Sequence, residues 1–167
     1  MKYTRNTTTL RMAIAIIVIL ISFNSAQSQN SNLTSELKAF KAEMINGKEK
    51  LTEADKVSPG DIIEYQLTYQ NKTGDEIKNL KPVLPIPFGT ELVEDTALPK
   101  ISDASVSNET SFKGYPIMKE VTLPNGSKTK IKATAKEYRY IRWTVDSMKN
   151  NENKLFKVRV KVIEVKQ

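Results

Sequence analysis

Seven acids lie between positions 61 and 95: Asp61, Glu64, Asp75, Glu76, Glu91, Glu94 and Asp95. Two carboxylates set at the right separation can hydrolyse a glycosidic bond, one as acid and the other as base or nucleophile. The chain contains no His and no Cys. Imidazole acid–base chemistry, a Ser-His-Asp triad, a thiol nucleophile and His- or Cys-ligated metal are therefore excluded. A hydrolase built on carboxylates alone is the enzyme class that remains. Strand alternation puts Glu64 on the solvent side and the other six acids in turns, where acids are ordinarily just solvated. Two stretches, "NKTGDE" and "EDTALPKISDAS", offer oxygen ligands without the dense spacing of a calcium loop. The sequence predicts no catalytic residue, no cofactor and no metal.

The second candidate is a binding face. If residues 138–145 and 156–163 pair as neighbouring strands, Tyr138, Tyr140 and Arg142 share an outer face with Lys157, Arg159 and Lys161. Cations set beside aromatic rings suit an anionic glycan or another phosphate- or sulfate-bearing polymer. The competing reading is a charged sheet face that keeps the fold soluble and discourages edge-to-edge association.

Those residues need strands to hold them, and the alternation is plain. Ile63, Tyr65, Leu67 and Tyr69 fall on one face of "DIIEYQLTYQN", with Glu64, Gln66, Thr68 and Gln70 on the other. Phe156, Val158, Val160 and Val162 alternate with Lys157, Arg159 and Lys161, and Ile141, Trp143 and Val145 mark a third inward face. "LKAFKAEMI" (37–45) reads as a first strand, "EIKNLKPVLPIP" (76–87) as a Pro-rich edge strand, and 90–95 and 103–108 as short strands. "EVTLPNGSKTKIKA" is a hairpin turning at Asn125-Gly126. Short strands with turn signals about every 10 residues indicate an all-β sandwich or barrel.

The N-terminus has a different character. Lys2, Arg5 and Arg11 precede the apolar run Met12–Phe23, which is followed by small polar residues. This is the layout of a cleaved secretory signal peptide, with residues 1–28 removed after Ser28, or 1–26 after Ala26. The apolar run is short of the roughly 20 residues a membrane span requires. Without residues 1–28 the chain has 23 Lys+Arg against 19 Asp+Glu, a net charge of +4. That mild excess gives no reason to expect nucleic acid, and membrane contact is expected only during export. Residues 29–35 read as a disordered polar tether and 36–167 as one domain. With no Cys to crosslink it, that domain relies on packing alone. Lys38 or Lys41 could donate to an isopeptide bond, but the closing strand "LFKVRVKVIEVK" has no Asn or Asp to receive it. Asn32, Asn71, Asn108 and Asn125 stand in N-x-S/T sequons, and Asp95-Thr96-Ala97 and Asp146-Ser147-Met148 are candidate O-glycan tripeptides.

Four motifs occur in order: Pro59-Gly60-Asp61, Ile63 to Asn71 with Tyr65, Leu67 and Tyr69 between, Ile77-Lys78-Asn79-Leu80, and Pro85-Ile86-Pro87-Phe88-Gly89-Thr90. Together with Ser105-Val106-Ser107, Tyr140-Ile141-Arg142-Trp143 and Phe156 to Val160, they resemble the DUF11 family of conserved repeat domains in bacterial surface proteins, over roughly residues 35–163. The resemblance implies an immunoglobulin-like β-sandwich of about seven to nine strands. It also implies a secreted, periplasmic or cell-surface location and a non-catalytic structural or adhesive role. The expected partner is a cell-surface polymer or another surface protein.

Overall fold

The computed structural model describes residues 32–164, so the signal peptide and residues 29–31 of the expected tether lie outside the described residues. In chain order the strands are β1 (Leu33–Ile45), β2 (Lys48–Glu53), β3 (Ile62–Asn71), β4 (Ile77–Leu80), β5 (Val83–Pro85), β6 (Thr90–Leu92) and β7 (Asp103–Ser105). They continue with β8 (Lys113–Gly114), β9 (Met118–Thr122), β10 (Lys128–Lys132), β11 (Tyr140–Arg142), β12 (Val145–Met148) and β13 (Asn153–Val162), with one 3-10 turn at Ala135–Glu137. The protein is all-β. The first strand begins at Leu33, so residues 33–35 are strand and not tether.

One layer is a five-stranded sheet in the order β2-β1-β3-β13-β6. The facing layer is a four-stranded sheet, β5-β11-β7-β8, with the pair β12-β4 beside it. The thirteen strands among the described residues exceed the expected seven to nine, and proline accounts for part of the excess. The pairs Tyr140↔Pro85, Arg142↔Val83, Val145↔Leu80 and Met148↔Ile77 keep one register. They form a single long ladder, interrupted at Lys81-Pro82 because Pro82 has no N–H to donate. Trp143 N–H still donates to Pro82 O across the gap at 3.0 Å. The expected edge strand 76–87 is thus split in two, and its β5 half does lie at a sheet edge.

The core lies between the layers. Phe156, Val158, Val160 and Val162 point inward from β13, as their alternation requires, and Ile63 and Leu67 do so from β3. They meet Leu84, Ala104, Ile141 and Trp143 of the other layer. The Trp143 ring lies 5.1 Å from that of Phe156, tilted by 43°, Tyr69 meets the same Phe156 ring edge-on at 6.2 Å, and Trp143 Nε1–H donates to Pro99 O at 2.8 Å. An aromatic cluster of this kind adds contact energy to the area it buries.

The turns follow their residue types. Gly60 has φ +97° between Pro59 and Asp61, and Asp61 N–H closes on Ser58 O at 3.0 Å. A type II turn asks for Pro at its second position and Gly at its third. Asp61 Oδ2 accepts from Ser58 N–H at 2.7 Å and pairs with Lys41 at 3.1 Å. The hairpin β9–β10 turns at Asn125-Gly126 as the sequence indicated.

Candidate functional site

The six residues of the expected binding face do not share a face. Strands β11 and β13 are not neighbours: β11 pairs with β5 and β7 in one layer, and β13 with β3 and β6 in the other. Stacked sheets lie about 10 Å apart with their outer side chains directed oppositely. Tyr140 and Arg142 therefore point out of one side of the sandwich, and Lys157, Arg159 and Lys161 out of the other. The inference of pairing failed because both segments carry the same inward apolar pattern. Period-2 alternation shows that a strand has a buried face, not which strand lies beside it.

Tyr138 is not on a surface at all. It is 0 % exposed, its ring lies 5.4 Å from that of Tyr115, and its hydroxyl accepts from Ile117 N–H at 3.3 Å. The 3-10 turn at Ala135–Glu137 ends just before it, so alternation within β11 does not extend back to Tyr138.

Each guanidinium is held by carboxylates of its own sheet. Arg142 sits opposite Asp103 of β7 and donates Nε–H and Nη2–H to Asp103 Oδ2 at 3.1 and 2.9 Å. The Phe112 ring lies 4.1 Å from its guanidinium carbon, a cation–π contact made within the chain. On the opposite side Arg159 lies across from Glu64 of β3. It donates Nε–H and Nη2–H to Glu64 Oε2 at 3.0 and 2.9 Å. Its Nη1–H and Nη2–H also reach Glu49 Oε1 and Oε2, both at 2.8 Å. Glu49 belongs to β2, two strands beyond β3 in the sheet order. The far end of the β1–β2 hairpin must therefore curl over the outer face to bring it there.

This cluster corrects the reading of Glu64 as solvated. Glu64 does occupy the outer face, yet it is 6 % exposed. Gln66 Nε2–H donates to Glu64 Oε1 at 2.7 Å, and Lys157 Nζ stands 3.9 Å from the same oxygen. The two acids that converge here, Glu49 and Glu64, meet at a guanidinium. Arg159 holds the Glu49 carboxyl below the ordinary glutamate range, and Glu49 in turn raises the Arg159 guanidinium above its own. An acid catalyst of glycoside hydrolysis needs the reverse, a carboxyl raised so that it carries a proton. A carboxylate held ionised by a bidentate arginine is equipped to bind charge, not to donate a proton. The other acids lie elsewhere: Glu94 pairs with Lys132 at 2.6 Å, and Glu76 lies 3.8 Å from Lys78.

Asn71 has a role that its sequon conceals. It is fully buried at the end of β3. Its amide donates to Asp75 O, Met148 O and Lys149 O at 2.8, 2.9 and 3.1 Å, and its Oδ1 accepts from Thr73 N–H and Oγ1–H. A glycan there would consume the amide that ties β3 to the β12–β13 turn. Thr96 is similarly engaged, donating to Val93 O at 2.6 Å and accepting from Arg159 N–H at 3.0 Å. Opposite charges at Glu64 and Arg159 were the sequence signal for their contact, had β3 and β13 been paired. Nothing local foretells that Glu49 reaches the same guanidinium. Comparison of the chain with family models, with curated proteins and with solved structures found no match.

Proposed function

We propose that this protein is an exported, non-catalytic β-sandwich module with a structural or adhesive role at the cell surface, as its resemblance to the DUF11 repeat domains implies. The observation that carries this reading is how the outward guanidiniums are used. Arg142 gives two N–H bonds to one oxygen of Asp103, and Arg159 binds Glu49 through both carboxylate oxygens, each within its own sheet. Charge spent in this way braces the layers and is not offered to a ligand. The glycan or polyanion reading loses its main support, because it drew on six residues acting from one face. The carboxylate hydrolase has less still, since its converging acids are bound to an arginine.

The expected partner is a cell-surface polymer or another surface protein, met through shape and hydrogen bonding over a sheet surface. Two measurements on the native host test the proposal. The mature chain should be recovered outside the cytoplasm with a mass corresponding to loss of residues 1–28 or 1–26. Deleting the gene should impair attachment or envelope integrity, and the Glu64→Gln variant should restore it. An unprocessed cytoplasmic chain contradicts the proposal, as does a phenotype that Glu64→Gln fails to restore although the variant is folded.

A further inference from the structure

The two layers guard their edges against strand addition. In the four-stranded sheet, β5 lies among Pro82, Pro85 and Pro87, and β8 is two residues long. In the five-stranded sheet, β6 is three residues long, and the part of β1 that β2 leaves uncovered carries Glu36 and Lys38. Proline, shortness and charge are the usual devices. The pair β9–β10 stands apart, joined to no other strand among the described residues. A lone two-stranded ribbon is marginal in water and gains from a third strand. Its β10 side is guarded by Lys128, Lys130 and Lys132. On the β9 side Lys119 and Glu120 are each neutralised within the chain, by Glu137 and Lys128.

Two bonds fix which backbone groups of β9 are already used. Ala133 N–H donates to Ile117 O and Leu123 N–H to Ser127 O, both at 2.8 Å. Antiparallel partners alternate between hydrogen-bonded and non-bonded pairs. Ile117, Lys119, Val121 and Leu123 therefore turn their backbone groups toward β10, and Met118, Glu120 and Thr122 direct theirs away from it. Beside this free edge lies a groove of about 490 Å³. Consecutive residues, Ile117 to Glu120, line one wall. A strand presents consecutive residues only edge-on, because either face of it shows alternate side chains. The other wall is the β7–β8 loop and the start of β8, with Val106, Ser107, Ser111 and Lys113. Val106 and Met118, 37 % and 51 % exposed, bring apolar surface from opposite walls. Lys119 and Glu120 have their own partners, so Lys113 is the lining charge left unpaired among the described residues.

We propose that this groove receives an extended, acidic segment of a partner protein, which adds to β9 as a third strand. The N–H and C=O groups of the segment bond to those of Met118 and Glu120. In strand addition such main-chain bonds supply affinity, and alternate side chains supply specificity. An apolar side chain of the segment packs between Val106 and Met118, and an acid pairs with Lys113. The occupant is a polypeptide because an extended main chain repeats donor and acceptor at the two-residue spacing of Met118 and Glu120. It is acidic because Lys113 has no partner of its own. The proposal rests on the reading of an adhesive module that meets another surface protein, and it names the surface and the chemistry of that contact.

A synthetic library of labelled hexapeptides, alternating Val, Ile or Thr with Asp, Ser or Lys, tests this by fluorescence anisotropy on the full chain. Members carrying Asp should bind more tightly than their Lys counterparts. In the tightest binder, N-methylation of one alternate set of residues should abolish binding and N-methylation of the other set should spare it. An added strand turns only every second N–H toward its neighbour. Lys113→Glu should weaken the acidic peptide about fivefold, whereas Lys130→Glu on β10 should leave it unchanged. Glu120→Pro removes an outward N–H at a strand edge and should abolish binding with an unchanged circular dichroism spectrum. Three results would overturn the proposal. They are a library with no binder, binding indifferent to which set is N-methylated, or equal effects of Lys113→Glu and Lys130→Glu. Sensitivity to Lys113→Glu without sensitivity to N-methylation would make the groove a site for anions and not for a strand. Because the purified protein is used, failure here leaves export and the deletion phenotype untouched.

Discussion

Arg159 and Glu64 face each other across the β13–β3 ladder, joined by two hydrogen bonds of 3.0 and 2.9 Å to one carboxylate oxygen. The Glu64 side chain is 7 % exposed and that of Arg159 24 %, so this pair lies largely out of solvent. Removing one partner of a buried pair leaves the other charge uncompensated, which costs about 3–5 kcal/mol. The partial exposure of Arg159 points to the lower end. Arg159→Ala should lower stability by about 3 kcal/mol in urea unfolding. Adding Glu64→Gln to that variant should recover most of the loss, because no buried charge then remains.

The two N–H groups of Asn71 are shared among three carbonyls, and its Oδ1 accepts twice from Thr73. Truncation strands those groups at the junction of β3 with the β12–β13 turn, each at a cost of about 1 kcal/mol where water cannot replace the bond. Asn71→Ala should therefore destabilise by about 2–3 kcal/mol. Asn71→Asp should be worse, since an acceptor would then face three carbonyl oxygens. Thermal unfolding of both variants, followed by Trp143 fluorescence, gives the comparison.

Glu137 closes a capping box with Thr134, accepting from Thr134 N–H at 2.8 Å and from its hydroxyl at 3.0 Å, and it also pairs with Lys119. The Lys119 ammonium, ahead of the Thr134 donors, pulls its carboxyl down to about 2. A depressed carboxyl stabilises the fold fully above its unfolded value and loses that contribution as pH falls through the folded value. The difference in melting temperature between the wild type and Glu137→Gln should be constant above about pH 5. It should shrink from there and vanish near pH 2. A constant difference down to pH 2 would show that Glu137 acts other than by its charge.

Gly60 is the one residue of the Pro59-Gly60-Asp61 turn that a side chain would strain, having φ +97° with open space around it. Gly60→Ala should cost about 1–2 kcal/mol from backbone strain alone. Gly114 also has open space but no positive φ, so Gly114→Ala serves as the control and should change stability little. Chemical denaturation of the two variants side by side separates backbone strain from the loss of a glycine.

Strand identity was legible wherever one face is apolar and the other polar. The inward sets of β3 and β13, the Pro-Gly-Asp turn and the Asn125-Gly126 hairpin all stand as their residue types require. What local pattern could not convey was which strand adjoins which. Residues 140–142 and 156–162 both have an apolar inner face, and each fits equally well beside the other or across the core from it. That ambiguity alone scattered the candidate site over two outer surfaces. Glu64 was misread for a related reason: alternation assigned its face correctly, but its burial depends on Arg159 and on a hairpin folding over from a distant part of the chain. Tyr138 was misplaced because a short 3-10 turn beside it ends the alternation.

The most direct test of the scaffold reading is retention on an anionic polysaccharide resin. The comparison sets Tyr140→Ala/Lys157→Gln/Lys161→Gln against a charge-matched control, Lys128→Gln/Lys130→Gln, on the β9–β10 hairpin. If the outer residues of β11 and β13 form no common site, both variants elute slightly and equally earlier than the wild type, as two lost charges require. Marked loss of retention in the first variant, with the control nearly unchanged, would contradict the account and establish those residues as a binding face.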